Sequence, residues 1–523
     1  MNRPLFRLCL ACCFSALSLF SNDSFDPSRL NDFYDEFLYD QKKISFEAGL
    51  ISSITADNGG GDEPQNFVPP PNPMPPVPSP SGAPELPVVI VNNSGAPDSE
   101  VYVTVTGKNK EDSAALAYVM FAPDGVGTLV NAAIGLEGAT YAKALSEFPT
   151  SHDGHVFYLP YIESALLWFS IQDKLTLAAI SDPTQPNGIG IEQPNPTNEA
   201  DNNYRTLWDI FEVDYEAAGP VLFADATAVT QFNLPLYAYL STPDATSGSN
   251  CGLYQPREYI LDQVMQTFNN EPLASVWNHL FVMGEPSYSN SPITRLISTG
   301  KGIAAGEASP NYFDKNYLDN ADAYGFSFLE AMWYRAESFY RDNSLALKIP
   351  SGTVYDGTVE GGGGIQFDAP SPGEPQETDF PPPSSPNTPP QDTTTFKILS
   401  GLPLFDTTTS PEDGEQLSKL FGEAIVAGFI PTAEEVSDSS VQAGKSRFYT
   451  NNPNLKYDTA TTGPWYDLYS KALHSLGLIY SYAFDDSAAL WPEVQIFAQG
   501  ANVKPTDPVK PTYLGITVGP LEK

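Results

Sequence analysis

The chain has 523 residues, more than one ordinary core requires, so packed domains joined by linkers are expected. Its 64 Asp and Glu residues outweigh 26 Lys and Arg, for a formal charge of −38. A surface of that sign repels phosphate backbones and anionic lipid, which argues against nucleic-acid binding and membrane-surface docking and suits an extracellular or periplasmic setting.

The first residues, MNRPLFRLCLACCFSALSLFS, join Arg3 and Arg7 to an apolar run from Leu8 to Phe20 and a small residue, Ser21. This pattern predicts a secretory signal over 1–21, too short to span a membrane comfortably. Cys9, Cys12 and Cys13 lie inside it, so removal leaves Cys251 alone and the fold without an internal disulfide. No other stretch predicts a membrane span. A short helical leader is expected over 22–57, where Leu30, Phe33, Phe37 and Leu38 recur at helical spacing. Residues 58–87 are rich in Pro and Gly and read as a semi-rigid tether without packing of its own.

Period-2 alternation then begins. VVIVNN (88–93), VYVTVTG (101–107), 156–160, 165–171, 207–215 and 221–224 predict strands, so 88–250 reads as an antiparallel β domain. At Arg257 the period lengthens, with Ile260, Leu261, Val264, Met265 and Phe268 on one helical face after Pro256. Further helices are expected at 326–341, 414–428 and 464–482. Residues 251–523 therefore read as a mixed α/β domain, broken by a low-complexity, disordered insertion at about 360–395. The fold class is α+β.

The segment TLWDIFEVDY (206–215) carries the most chemistry. Leu207, Phe211, Val213 and Tyr215 share one face, which belongs in the core; Trp208, Glu212 and Asp214 share the other. An indole beside carboxylates suits a sugar, because the ring stacks on a pyranose while the acids act on the glycosidic bond. The same pattern also describes an ordinary solvated strand face. Glycoside hydrolysis usually needs two carboxylates, about 6.5–9.5 Å apart in inverting enzymes. Glu212 and Asp214 are separated by roughly 6.5–7 Å of strand rise. His152 and His155 resemble a metal fragment but lack a further His or Cys nearby, and read as a polar loop. Thr299-Gly300-Lys301-Gly302 lacks the glycine spacing of a phosphate loop.

Several segments, taken in order, are similar to glycoside hydrolase family 64, the laminaripentaose-producing β-1,3-glucanases. VVIVNNSG and VYVTVTGKN resemble the first hairpin of that family. WDIFEVDY and LFADATAVTQFNLPL resemble its catalytic strand pair, and RLISTGKGI, NYFDKNYLDN and WYDLYSKALHSLGLIYSYAFDD its later α/β portion. The resemblance spans about 88–486. It implies a thaumatin-like antiparallel β-barrel or sandwich domain beside a mixed α/β domain, with a wide cleft for a β-1,3-glucan chain. It further implies inverting hydrolysis with no metal and no organic cofactor, by a monomer whose partner is the polysaccharide. Glu212 matches the family's catalytic Glu, the general acid.

The family's catalytic Asp falls on Thr230, counting back from Leu234-Pro235. A threonine hydroxyl is far too weak a base to replace it unaided. Asp225 is five residues from Thr230, so parity in a regular strand turns it to the other face. Asp214 stands where the family has a hydroxyl residue and is a candidate relocated base, although two residues on one strand approach a sugar from the same side. Three functions follow. The chain is an exported β-1,3-glucanase, a catalytically impaired glucan-binding protein with Trp208 as its stacking platform, or an envelope interaction protein. Its destination is secreted, periplasmic or in the cell envelope.

Overall fold

A computed structural model of the protein describes residues 67–82 with breaks, 84–112, 115–217, 220–243, 249–270, 277–284, 292–302, 345–348, 353–359, 365–368, 378–380, 411–427, 466–482, 496–507 and 509–522. The expected signal, the helical leader and the helix at 326–341 lie outside these residues.

The strands are numbered in chain order. Five of them form one sheet in the order β14 (Ser249–Gly252), β13 (Leu236–Ser241), β22 (Tyr513–Val518), β1 (Leu86–Asn92), β6 (His155–Leu159). A larger, eight-stranded sheet runs β21 (Ile496–Gln499), β11 (Val221–Thr227), β10 (Leu207–Glu216), β7 (Ile162–Ile171), β2 (Val101–Asn109), β3 (Ala115–Phe121), β4 (Gly127–Asn131), with β5 (Lys143–Ala144) also paired to β2. Alternation along each strand sends one set of side chains inward. Val88, Ile90, Leu236, Ala238 and Ile516 from the first sheet meet Val103, Val105, Leu167, Phe211 and Ala224 from the second in one continuous core. The two sheets are open and stacked. Among the described residues there is no closed barrel, so of the two expected β architectures the sandwich is the one observed.

Most pairings are antiparallel, but β1 pairs β22 in parallel. The strand nearest the chain's end thus sits between β13 and β1, in the middle of the sheet. The sandwich therefore draws on residues 496–518 as well as 86–252, and a linear division at 250 does not follow its core.

Helix α1 (Arg257–Asn269) buries Ile260, Leu261, Val264, Met265 and Phe268, as its spacing predicts, with Pro256 at the N-cap. Helix α2 is Pro411–Val426. Helix α3 is shorter than expected, Leu468–His474, and packs against α1. Beyond it, Gly477 lies against Gly252, where a Cβ would crowd that residue's carbonyl. Leu478 then bridges Gly252 and Tyr480 bridges Thr227, so the segment expected to stay helical instead edges both sheets. Smaller sheets are built from β12 (Gln231–Phe232), β15 (Phe281–Met283) and β16 (Ile293–Ile297), from β8 (Ala179–Ser181) and β9 (Ile189–Ile191), and from β17 (Leu345–Lys348), β18 (Val354–Val359), β19 (Ile365–Asp368) and β20 (Thr378–Phe380). The last two fall within 360–395, so that stretch holds paired strands where composition alone suggests disorder.

The Pro-rich segment also departs from expectation. Phe67 meets Tyr259 edge-on at 4.7 Å, and the carbonyl of Pro73 accepts from the Tyr513 hydroxyl at 2.6 Å. Pro84 accepts from Tyr215 at 2.5 Å. Proline cannot donate a backbone hydrogen bond, but its carbonyl and ring remain available, and tyrosine hydroxyls of the sandwich use them.

Candidate active site

Strand β10 divides its side chains as the sequence predicts. Leu207, Phe211, Val213 and Tyr215 lie in the sandwich core. Trp208, Ile210, Glu212, Asp214 and Glu216 lie on the outer face of the large sheet. The fate of these outer residues differs along the strand.

Trp208 is 1% exposed. It belongs to a second apolar cluster with Trp168, Tyr118, Leu166, Leu175, Leu177 and Ala179, and its ring centroid lies 5.7 Å from that of Trp168. Residues 175–191, including the β8–β9 ribbon, cover this end of the sheet. Trp208 is therefore a core residue and not the open stacking platform expected from its place beside the acids. Strand parity gives the face a side chain takes, not what is laid over that face.

Glu212 lies further along and is half-buried. Its register partner on β11 is Asp225, and its partner on β7 is Leu166. Directly opposed residues in an antiparallel pair hold their Cβ atoms about 4.5–5.5 Å apart on the same face. Glu212 and Asp225 are thus paired carboxylates, and Asp225 is only 2% exposed. This corrects the expectation that Asp225 turns away. Strand β11 ends at Thr227, and Thr230 lies beyond it in a bend, so parity counted back from Thr230 crosses a break in the strand. Thr230 itself is half-buried and its carbonyl accepts from the Ser298 amide at 3.1 Å. It brings no ionisable group to the slot.

Asp214 sits two residues from Glu212, opposite Phe223. A bulge between β10 and β7 turns the amide of Ser164, held at φ 49°, onto its Oδ1 at 3.3 Å. Burial first, then the neighbouring charge of Glu216, push its carboxyl up to about 7. Lys110 bridges Glu216 at 2.8 Å and Glu163 at 3.6 Å beside it. Asp214 therefore holds its proton toward neutrality, tied to the Ser164 amide and flanked by Glu216.

Beneath the carboxylate row the turn from β11 into β13 is fixed by charges that sequence reading overlooks. Asp209 faces inward and accepts from the amides of Asn233 at 2.7 Å and Leu234 at 2.9 Å. Burial pushes it up to about 8, against those donors and Arg295. Arg257 donates to the carbonyls of Asn233, Ile293 and Thr294, and Arg295 donates to Gln231 and Tyr204. Gln231 in turn donates to the Trp208 carbonyl at 2.7 Å. Asp467 caps α3 and accepts from Thr299 at 2.7 Å, while Tyr469 donates to Ala228 at 2.6 Å. Single buried charges in a strand or at a helix start leave no periodic trace, which is why only their hydrogen bonds reveal them.

His155, expected in a polar loop, instead opens strand β6 and lies 2.9 Å from Asp98. Cys251 is a buried free thiol in the core. Among the described residues no three His, Cys, Asp or Glu side chains converge as a metal site. No helix among them is long and apolar enough to cross a membrane.

Facing carboxylates on the outer side of a β-sandwich sheet, one half-buried and one almost wholly buried, are groups of the type that acid–base chemistry uses. The comparisons narrow that class. The glycoside hydrolase family 64 model, described as beta-1,3-glucanase, matches residues 84–495, and the chain belongs to that family. The β-1,3-glucanase domain from Clostridium beijerinckii superposes with a TM-score of 0.58 at 17% identity, over 85% of this chain and all 100% of its own. A laminaripentaose-producing β-1,3-glucanase in complex with laminaritetraose also superposes with a TM-score of 0.58 at 17% identity, over 84% of this chain and 100% of its own. None of the curated proteins matches the chain by sequence.

Proposed function

We propose that the protein hydrolyses β-1,3-glucosidic bonds with inversion, and that Glu212 and Asp225 are its two carboxylates. Family membership supports the substrate class. The register pair Glu212–Asp225 carries the chemistry, because it supplies a second acid where Thr230 supplies none. Glu212, the more exposed of the two, protonates the leaving oxygen. Asp225 takes the proton of the attacking water. Both rise from one sheet face on neighbouring strands, so the sugar has to sit between them; a glutamate reaches one methylene further than an aspartate, and from opposed Cβ positions the carboxyl groups splay toward the roughly 6.5–9.5 Å of inverting pairs. The reaction then needs no metal or organic cofactor. A cleft above this face, between the sandwich and the helical portion, and export through the N-terminal segment belong to the same proposal.

The test is laminarin hydrolysis by wild type, Glu212→Gln and Asp225→Asn, with thermal unfolding as a control for folding. Each substitution is expected to lower turnover at least about hundredfold, the usual scale for removing an acid or base. Full activity in either variant contradicts the assignment of that residue.

The near-complete burial of Asp225 and the hydroxyl at 230 favour a second reading, a glucan-binding protein that does not turn its ligand over. That reading predicts retention on insoluble β-1,3-glucan with no soluble sugar released by wild type over a long incubation.

A further inference from the structure

Beyond the carboxylate row, the same outer face carries an aromatic pair that the hydrolytic chemistry does not use. On β21, Ile496 and Ala498 enter the core while Phe497 and Gln499 point outward. Phe497 pairs Phe223 across the β11–β21 ladder, and the rings lie 4.6 Å apart at 33°. Phe223 in turn pairs Asp214 and sits two residues from Asp225, so both rings share the face of Glu212 and Asp225. Phe223 stands two residues, roughly 6.5–7 Å, along the strand from Asp225, and Phe497 lies one strand, about 4.8 Å, further across the sheet.

Phe497 is 45% exposed, the only aromatic among the large apolar side chains left exposed in the described residues. A cross-strand aromatic pair at a sheet edge is stabilising in its own right. That role is served by a pair closed over by its neighbours, and leaves the open face of Phe497 in water. Phe497 lies just past residues 84–495, the stretch matched by the family model.

We propose that Phe497, backed by Phe223, is a stacking subsite for a glucosyl unit of the β-1,3-glucan chain next to the unit held over Glu212 and Asp225. The axial C–H groups of a β-glucosyl ring carry partial positive charge and lie against the electron-rich ring face, while the hydroxyls at the ring's edge stay hydrated. This inference rests on the glucan reading of the carboxylate face.

The experiment measures binding of laminarihexaose and laminaritriose to full-length protein in a Glu212→Gln background, with Phe497→Ala and Phe497→Trp added. Phe497→Ala is expected to weaken hexaose binding about tenfold, near 1.4 kcal/mol. The deficit narrows for the triose, and Phe497→Trp restores affinity. Unchanged hexaose affinity in Phe497→Ala, or an equal loss in Phe497→Trp, overturns the subsite while leaving the glucan reading standing. Absence of binding to either oligosaccharide in the Glu212→Gln background, together with no hydrolysis by wild type, overturns both.

Discussion

Asp214 is the residue whose titration reports most simply on this face. An acid whose folded pKa stands near 7, above the ordinary 3.8, favours the folded state at low pH. That contribution is complete below about pH 4 and is lost as pH rises toward 7, at roughly 1.4 kcal/mol per unit at most. Asp214→Asn removes the penalty and keeps an acceptor for the Ser164 amide. Its unfolding midpoint is therefore expected to exceed that of wild type by about 3–5 °C at pH 8, and to match it near pH 4. A constant difference across pH contradicts this account of Asp214. At the same scale, the face assigned to each residue of 207–215 was legible in strand parity. The covering of Trp208 was not, because residues 175–191 approach it from elsewhere in the chain. Asp225 was within reach of the sequence. Strands β10 and β11 are antiparallel with Glu216 opposite Val221, and counting back along both arms sets Glu212 against Asp225.

At the scale of elements, the Pro-rich segment tests whether composition or packing decides the outcome. Its prolines exclude it from the middle of a sheet, yet Pro73 lies over Gly515 of the central strand β22, where any Cβ would strike the pyrrolidine ring. The glycine thus makes room for the segment to cross the sheet. Gly515→Ala is expected to displace residues near Pro73 and break the Tyr513–Pro73 hydrogen bond, destabilising the fold by about 1–3 kcal/mol in denaturant unfolding. It should also speed proteolysis within 67–85. Wild-type stability in this variant contradicts the contact. Helix α1 shows the opposite case, since the sequence announced its start and its buried face. Helix α3 was overcalled because an apolar run continues past Gly477, and period alone does not separate a buried helix from an edge bridge.

For the whole molecule, sequence order conveyed the β-sandwich core and the family, but not the return of the last strands. Residues 496–518 complete both sheets, and non-local pairing of this kind has no local signature. The same return brings Phe497 beside the β10–β11 hairpin that carries Glu212 and Asp225, so the proposed glucan site draws on residues 496–499 as well as the middle of the chain. The −38 formal charge disfavours anionic polymers as ligands and is compatible with a neutral polysaccharide. The central claim is that Glu212 and Asp225 together cleave a β-1,3-glucan with one displacement at the anomeric carbon. Proton NMR of the first products released from laminarin tests it most directly. The α-anomer must appear first with wild type, and Asp225→Asn must release neither anomer at a comparable rate. A β-anomer at early times, or undiminished release by Asp225→Asn, would contradict it.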